Sequence, residues 1–330
     1  MVLRYPSYYK TFSCIASRCP DSCCHEWDVQ VDAASAARYR AMEGALGDAL
    51  RKDLYDEDGE TYLRNHDGRC PMWRSDGLCR IQAELGHEAL CTVCQQFPRL
   101  RHDYGDFVEL GLELSCPEAA RLILASDAHP GMETNLPGDS QGEYDAEAME
   151  ILKRSRLQVL EILEDPTRTV PEALTLALLY GYHVQGELDG GEALPFDPES
   201  ALDEAKELAK PADFHELLNF FGSLEILTPR WQQMLLNAHP GDWSDSYRKI
   251  AQYFVERYWL QAVSDYDLYC RIKFIVVSCL VIRLVGGETL TTAQQYSKEI
   301  ENDADNVEAI LDAAYAYPAF TDEKILGLLK

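Results

Sequence analysis

The sequence has 330 residues, of which 46% are hydrophobic, and it carries a formal net charge of −26. A chain of this length can form two domains, or one large one, around a hydrophobic core. The strongly acidic charge argues against nucleic acid and anionic membranes as partners.

Taken in chain order, the sequence divides into three regions. Residues 1–128 are rich in cysteine and predict a metal-binding domain with short β or irregular segments. Residues 129–144 are rich in Pro, Gly and Ser and predict a linker or a long loop. Residues 145–330 predict a helical domain, because apolar residues recur there at steps of three and four. The predicted fold is therefore mainly α.

Within these regions the hydrophobic periodicity predicts individual elements. In the cysteine-rich region we expect helices over 33–54 and 81–95 and a strand over 107–114. In the last region the predicted helices are 146–163, 171–182, 214–227, 229–237, 247–263, 268–285, 292–301 and 307–315. Asp265 and Asp267 indicate a break between two of these helices. No glycine-rich turn of the G-x-G-x-G type follows a strand, so we expect no Rossmann domain.

No segment predicts a membrane span or a secretion signal. The longest apolar stretch, 272–285, contains Lys273 and Arg283 and is typical of a buried helix. The first residues lack the apolar core of a signal peptide. We therefore expect a cytoplasmic protein, in which disulfides are rare. The odd number of cysteines, 11, also disfavours a complete disulfide framework.

Nine of the 11 cysteines lie in the first 116 residues. Their spacing, which begins as C-x4-C-x3-C-C and includes a later C-x2-C pair, is typical of metal ligands drawn from several segments. A subset of them is predicted to bind the metal. The candidates are Cys14, Cys19, Cys23, Cys24, Cys70, Cys79, Cys91, Cys94 and Cys116. Cys270 and Cys279 would lie on opposite sides of one helix and are interpreted as core thiols.

The residues alone favour an iron–sulfur cluster but leave other identities open. No histidine stands at zinc-finger spacing from these cysteines, although a structural zinc site and a set of buried, metal-free thiols remain alternatives. The C-x3-C-x2-C spacing of the common radical S-adenosylmethionine enzymes is absent, because Glu26 occupies the position of the third cysteine. One or two metal centres are both compatible with nine candidate ligands.

Four segments of the chain resemble the flagellin lysine-N-methylase family. The first contains Tyr9, Phe12, Cys14, Cys19, Asp21-Ser22-Cys23-Cys24, Trp27 and Asp32. The second contains Gly77-Leu78-Cys79 and Leu85-Gly86 together with Leu90-Cys91, Cys94 and Phe97-Pro98-Arg99. The third contains Leu114-Ser115-Cys116-Pro117. The fourth contains Tyr253-Phe254, Tyr258-Trp259, Asp267-Leu268-Tyr269 and Arg271. Shorter cysteine-rich proteins described as zinc- or iron-chelating share a looser form of the first segment.

This resemblance implies transfer of a methyl group from S-adenosylmethionine to lysine side chains of flagellin, in an enzyme that holds a 4Fe-4S cluster. Without a Rossmann-type site, the residues that bind S-adenosylmethionine are unknown, although an iron with an open position can hold an amino and a carboxylate group. The alternative is a non-enzymatic zinc- or iron-binding interaction module. Residues 117–330 carry 17 Lys and Arg against 37 Asp and Glu, which suits either solubility or attraction of a lysine-bearing protein substrate.

Methyl transfer to lysine requires the neutral amine, whereas the free side chain has a pKa near 10.4 and is protonated at neutral pH. A carboxylate or a phenol can accept the proton, and aromatic rings can hold the cations. Tyr258, Tyr266 and Asp267 are the candidate catalytic residues on these grounds. The alternative interpretation of this segment is an aromatic core helix.

Overall fold

The computed structural model describes residues 2–24, 28–126, 132–135 and 142–330. Two small sheets lie in the N-terminal part, and helices dominate the rest. The strands are β1 (Val2–Tyr5), β2 (Val29–Gln30), β3 (Leu54–Glu57), β4 (Glu60–Leu63), β5 (Arg99–Asp103), β6 (Phe107–Leu112) and β7 (Met132–Asn135). The predicted mainly α fold is confirmed.

The first sheet has the strand order β5-β6-β1-β7, and the second has the order β2-β4-β3. β1 runs parallel to β6 and antiparallel to β7, and β5 and β6 form an antiparallel pair. The strand predicted over 107–114 is therefore β6. β7 lies inside the segment predicted as a linker, of which residues 129–131 and 136–141 lie outside the described part of the chain.

The N-terminal helices are short. They are α1 (Ala33–Ala41), α2 (Gly44–Asp53), α3 (Arg80–Leu85), α4 (Thr92–Gln96) and α5 (Pro117–Ala125). The single helix predicted over 33–54 is wrong, because the extended residues Met42 and Glu43 and the left-handed Gly44 (φ +82°) separate α1 from α2. The helix predicted over 81–95 is also wrong, because Gly86 has a φ of +87° and ends α3.

The remaining helices follow the predicted pattern more closely. They are α6 (Ala146–Glu164), α7 (Val170–Leu188), α8 (Pro198–Leu208), α9 (Phe214–Phe221), α10 (Pro229–Leu236), α11 (Ser246–Tyr258), α12 (Leu268–Val285), α13 (Thr289–Ile300), α14 (Ala304–Ala316) and α15 (Asp322–Leu329). A 3-10 segment, Trp259–Ser264, follows α11, which confirms the break predicted near Asp265. α8 and α15 were not predicted.

α12 passes through the main core, and 16 of its 18 residues are buried. A helix that is apolar on all sides needs neighbours on all sides, and α12 packs against α7, α11, α13 and α14. The approach of α7 is close at Gly181, where an added Cβ would lie 2.7 Å from Ile272. Cys270 and Cys279 are both buried in α12, as predicted for core thiols.

Two hydrophobic cores are present among the described residues. The main core includes the helices from α6 onward and also Phe107, Leu112 and Ile123 of the N-terminal part. A smaller core gathers β2, α1, α2 and several cysteines. The three-part domain division stays a prediction. Within the described ranges, no helix combines the length and the apolar character that a membrane span requires.

Candidate functional site

A small cavity of about 20 Å³ lies in the smaller core. Its other lining residues are apolar or aromatic, among them Val29, Tyr39 and Met72. Six of the nine candidate metal ligands line it: Cys23, Cys24, Cys70, Cys79, Cys91 and Cys94. The fold thus brings together thiols that are up to 71 residues apart in the sequence, spanning Cys23 to Cys94.

Backbone hydrogen bonds bring these cysteines to one place. The N–H of Cys70 donates to the carbonyl of Cys24 at 2.8 Å, which ties the double cysteine to the next segment. The N–H of Arg80 donates to the carbonyl of Met72 at 2.6 Å and closes the turn between Cys70 and Cys79. Two of the cysteines therefore flank a closed turn, as their spacing around Gly77 indicated.

Asp32 fixes the last pair of cysteines. Its carboxylate accepts the N–H of Ser35 at 3.0 Å as the N-cap of α1, and it also accepts the N–H of Thr92 at 2.9 Å at the start of α4. These backbone hydrogen bonds lower the pKa of Asp32. Cys91 and Cys94 lie at this start of α4, so one carboxylate positions both. Asp32 therefore caps α1 and also holds the start of α4.

The backbone around the cysteines is arranged to stabilise thiolates. The N–H of Ala16 donates to the Cys14 sulfur at 3.4 Å. At four further cysteines the main-chain N–H two residues on acts to lower the pKa of the thiol: Cys19 with Asp21, Cys70 with Met72, Cys79 with Ile81, and Cys116 with Glu118. Hydrogen bonds to sulfur favour the charged form and tune iron–sulfur centres.

The thiols of the cavity also interact in pairs. A hydrogen bond from Cys24 lowers the pKa of Cys70, and a hydrogen bond from Cys94 lowers the pKa of Cys91. The same pairing, together with burial, raises the pKa of Cys94. Across the described residues, no three His, Cys, Asp or Glu side chains are placed as ligands of one metal ion. The metal-ligand assignment stays a prediction.

The other three candidate ligands form a second group. Cys14 and Cys19 are electrostatically coupled to Cys116, whose pKa burial raises to about 12. Cys116 is the N-cap residue of α5 and is buried, whereas Cys14 is exposed. The nine cysteines are therefore divided into six that line the cavity and three beside it.

A buried polar network joins the cysteine-rich part to the helices. Arg257 of α11 pairs with Glu301 at 3.2 Å, and the side chain of Glu301 is fully buried. Glu301 also accepts hydrogen bonds from Tyr253 at 3.0 Å and Tyr258 at 2.9 Å. The Tyr253 hydroxyl in turn accepts the N–H of Leu114 at 3.2 Å, two residues before Cys116.

The three predicted catalytic residues do not share one site. Tyr258 is buried in this network, and burial raises its pKa well above the usual range. Tyr266 is 44% exposed, and its hydroxyl donates to Asp145 at 3.2 Å. Asp267 is the N-cap of α12 and accepts the Tyr315 hydroxyl at 2.5 Å. Their catalytic roles stay predictions.

Sequence reasoning missed Arg257 and Glu301, which lie 44 residues apart. The available signal was a charged residue within the apolar periodicity of α11 and another directly after α13, because charged side chains are rarely buried unless they are paired. The partner of each could not be named from the sequence.

Three known proteins are similar to part of this chain. The chain is 36% identical over 126 residues to the flagellar biosynthetic protein FliU of Salmonella muenchen. The aligned region covers 36% of this chain and 75% of FliU. It is 35% identical over 126 residues to a lysine-N-methylase of Salmonella typhimurium and to one of Salmonella choleraesuis. The match spans only 31% of the length of each lysine-N-methylase.

No protein-family model matches the chain. No solved structure matches it either. The similarity to FliU nevertheless covers three quarters of that protein at 36% identity. This similarity agrees with the resemblance of the cysteine motifs, and it establishes that the chain belongs to the family of FliU and the lysine-N-methylases.

Proposed function

We propose that this protein is an S-adenosylmethionine-dependent lysine N-methyltransferase that acts on flagellin and holds an iron–sulfur cluster through its N-terminal cysteines. Membership of the family carries the proposal, because two relatives are named lysine-N-methylase and a third is a flagellar biosynthetic protein. The aligned part is about a third of the lysine-N-methylases, so activity, substrate and methyl donor are all parts of the proposal.

The six thiols of the cavity support the iron–sulfur part of the proposal. Thiolates are the ligands that iron–sulfur clusters use, and the cavity wall offers sulfur without imidazole or carboxylate. A 4Fe-4S cluster takes at most four protein ligands, so at least two of the six thiols would have another role. A bound cluster would supply an iron with an open position for the amino and carboxylate groups of S-adenosylmethionine.

The size of the cavity sets a condition on this assignment. A volume of about 20 Å³ accommodates roughly one water-sized sphere. A cluster of eight atoms therefore requires the thiols to move outward. The double cysteine Cys23-Cys24 lies in a turn, outside any helix or strand, so an outward shift there would break no helix or strand.

The chain's own residues would prepare the lysine. The amine must lose a proton before it attacks the sulfonium methyl carbon, and desolvation or a neighbouring carboxylate promotes that loss. Among the three candidate residues, Tyr266 is the most accessible to a polypeptide substrate, since Tyr258 is buried. Tyr266 offers an exposed ring to a cation and a hydroxyl already paired with Asp145.

The direct test is mass spectrometry of flagellin after incubation with anaerobically purified protein and S-adenosylmethionine. We expect increments of 14 Da that depend on the methyl donor. A cluster-loaded protein that leaves the flagellin mass unchanged would refute the proposal. Iron and acid-labile sulfide, measured on the same sample, establish that the cluster was present.

The second candidate function is a non-enzymatic metal-binding interaction module. The observation that favours it is the cavity volume of about 20 Å³, which suits a single zinc ion better than a cluster. Zinc without sulfide, and without visible absorption, would support the module. Iron and sulfide in equal amounts would exclude a zinc module, and methylation of flagellin would exclude a non-enzymatic one.

A further inference from the structure

A large groove lies outside the thiol cavity and the buried network. Its volume is about 960 Å³, at the upper end of the range for ligand sites. Three separate parts of the chain form its walls: residues 101–105, residues 143–145 and residues 261–266. All of these lie in the described part of the chain. The groove is therefore a product of the tertiary fold.

The lining combines aromatic rings with carboxylates. Three tyrosines, Tyr104, Tyr144 and Tyr266, line the groove together with three acids, Asp103, Glu143 and Asp145. Arg101 is the cation among the lining residues, and Asp103 already neutralises it at 2.6 Å. Carboxylates beside tyrosine faces are the groups that bind an ammonium ion.

The tyrosines are held in place before any ligand binds. Tyr104 stacks on Phe107 at 4.7 Å between ring centroids, and Tyr144 meets the same ring edge-on at 6.4 Å. The Tyr144 hydroxyl donates to Asp106 at 2.7 Å. Fixed rings lose little entropy on binding, which favours affinity.

Tyr266 occupies an unusual backbone position. Its φ of +61° lies in the left-handed region, which disfavours tyrosine. The surrounding contacts hold it there, because its N–H donates to Ala262 at 2.7 Å and its carbonyl accepts from Gln185 at 2.9 Å. The result is an exposed ring presented at the groove wall, with its hydroxyl on Asp145.

One lining residue has an unsatisfied polar atom. The Nε2 atom of His102 is buried and has no hydrogen-bond partner. Burial, and then the charge of Arg257, lower the pKa of His102, so the ring is neutral at pH 7. Buried polar atoms without a partner are rare in native proteins, and a functional role or a bound water or ion is the usual explanation.

We propose that this groove binds a lysine-bearing segment of the protein substrate, with the ammonium group held between the tyrosine rings and the carboxylates of Glu143 and Asp145. The inference rests on the proposed function, because it names where that enzyme would hold its substrate. Charge complementarity selects this occupant: apart from the paired Asp103 and Arg101, Glu143 and Asp145 give the lining an excess of negative charge. A basic segment is attracted to such a surface, and an acidic one is repelled.

The test is fluorescence anisotropy with a labelled peptide of repeated Ala-Lys-Ser units and the full-length protein. The groove variants are Glu143→Gln, Tyr266→Leu, and the double variant Asp103→Asn with Glu143→Gln. The matched control is Asp203→Asn with Glu204→Gln on α8, where Asp203 pairs with Lys206 at 2.9 Å, as Asp103 pairs with Arg101. Glu143 is exposed, so the Glu143→Gln variant tests the groove without an effect on folding.

We expect the double groove variant to bind the peptide about tenfold more weakly than wild type, and the control to bind like wild type. Acetylation of the peptide lysines should have the same effect as the groove variants. Equal binding by wild type and all groove variants, or equal binding of the acetylated peptide, would overturn the inference.

This measurement uses neither methyl donor nor metal, so the two proposals can fail separately. Peptide binding in the groove without any methylation of flagellin would overturn the proposed function and leave the groove as a binding site. If the double groove variant methylated flagellin with an unchanged KM, the proposal that the groove binds the substrate would be refuted. The proposed methyltransferase function would still stand.

Discussion

Asp21 and Lys298 are 277 residues apart in the sequence, yet the Lys298 ammonium donates to both carboxylate oxygens of Asp21 at 3.2 Å. Asp21 lies between Cys19 and Cys23, and Lys298 lies on α13. Both side chains are less than 15% exposed. Gln294, one turn earlier on α13, also donates to Asp21 at 2.9 Å. This contact fixes the cysteine loop to the helical part of the protein.

The contact predicts the effect of Asp21→Asn. An amide cannot accept from Lys298 on both oxygens, and it removes one negative charge from beside the partly buried ammonium. We expect a loss of about 1–3 kcal/mol in the free energy of unfolding, measured by urea denaturation. The control is Asp76→Asn, in the exposed pair with Arg74, for which less than about 1 kcal/mol is expected. Equal losses in both variants would contradict the proposed anchoring role.

The same pair predicts an effect of acid. Burial raises the pKa of Asp21, but Lys298, the N–H of Ser22 and Gln294 outweigh it, so the pKa is lowered overall. A carboxyl with a depressed pKa stabilises the fold above its unfolded pKa, near 3.9, and this stability is lost as the pH falls through the folded value. Urea denaturation should therefore show the difference between wild type and Asp21→Asn narrowing below about pH 4.

For Glu256 we expect the opposite pH dependence, in which its contribution to the free energy of unfolding falls as the pH rises. Burial raises its pKa to about 8, Arg156 opposes that rise, and Glu109 and Glu164 add to it. A raised pKa means that the contribution to stability is complete below the unfolded pKa, near 4.3, and is lost as the pH rises through about 8.

The variant Glu256→Gln removes this titration. We expect it to be more stable than wild type by about 1–3 kcal/mol at pH 8 and similar to wild type at pH 4. The measurement is urea denaturation across this pH range. Glu204→Gln, an exposed substitution on α8, should give a curve parallel to wild type. A parallel curve for Glu256→Gln would show that Glu256 does not titrate in this range.

Glu301→Gln tests the buried network. The substitution leaves Arg257 in the interior with its counter-charge removed, and it weakens the hydrogen bonds from Tyr253 and Tyr258. Breaking a buried ion pair in this way costs about 3–5 kcal/mol. Glu187→Gln, which breaks the more exposed pair with Arg154, should cost less than about 1 kcal/mol. Thermal denaturation of both variants compares the two losses.

The elements that the sequence predicted best are those with local signals at both ends. α12 begins and ends where the periodicity placed it, because Asp267 caps its start and Gly286, with a φ of +79°, ends it. α8 has an N-cap and proline signal in Asp197 and Pro198, but its apolar face is short and the periodicity alone did not identify it. The division of 33–54 into two helices depends on backbone angles at Met42 to Gly44, for which the periodicity carries no signal.

Some features of the candidate site could be predicted from the sequence, and others depend on tertiary contacts. Cysteine spacing predicted which residues belong together, and six of the nine line one cavity. The separation of Cys14, Cys19 and Cys116 from these six depends on tertiary contacts, and spacing could not predict it. The pairing of Asp21 with Lys298 likewise arises only after α13 packs against the cysteine loop.

The last prediction separates cysteines that bind metal from cysteines that only pack. Cys79 lines the thiol cavity, whereas Cys279 is completely buried in α12 among apolar side chains. We expect Cys79→Ser to lower the iron content and the visible absorption of the anaerobically purified protein, because a hydroxyl is a poor substitute for a thiolate ligand. Cys279→Ser should keep the iron content of wild type.

For stability we expect the opposite ranking: Cys279→Ser should lower the free energy of unfolding more than Cys79→Ser. A hydroxyl at position 279 would be completely buried in the main core, and burying such a group costs about 1–3 kcal/mol. Urea denaturation of the metal-free proteins should therefore rank Cys279→Ser below Cys79→Ser. Equal iron content in both variants would show that Cys79 is not a ligand. The same measurement would then be made on serine variants of Cys70 and Cys91, the two buried cysteines of the cavity.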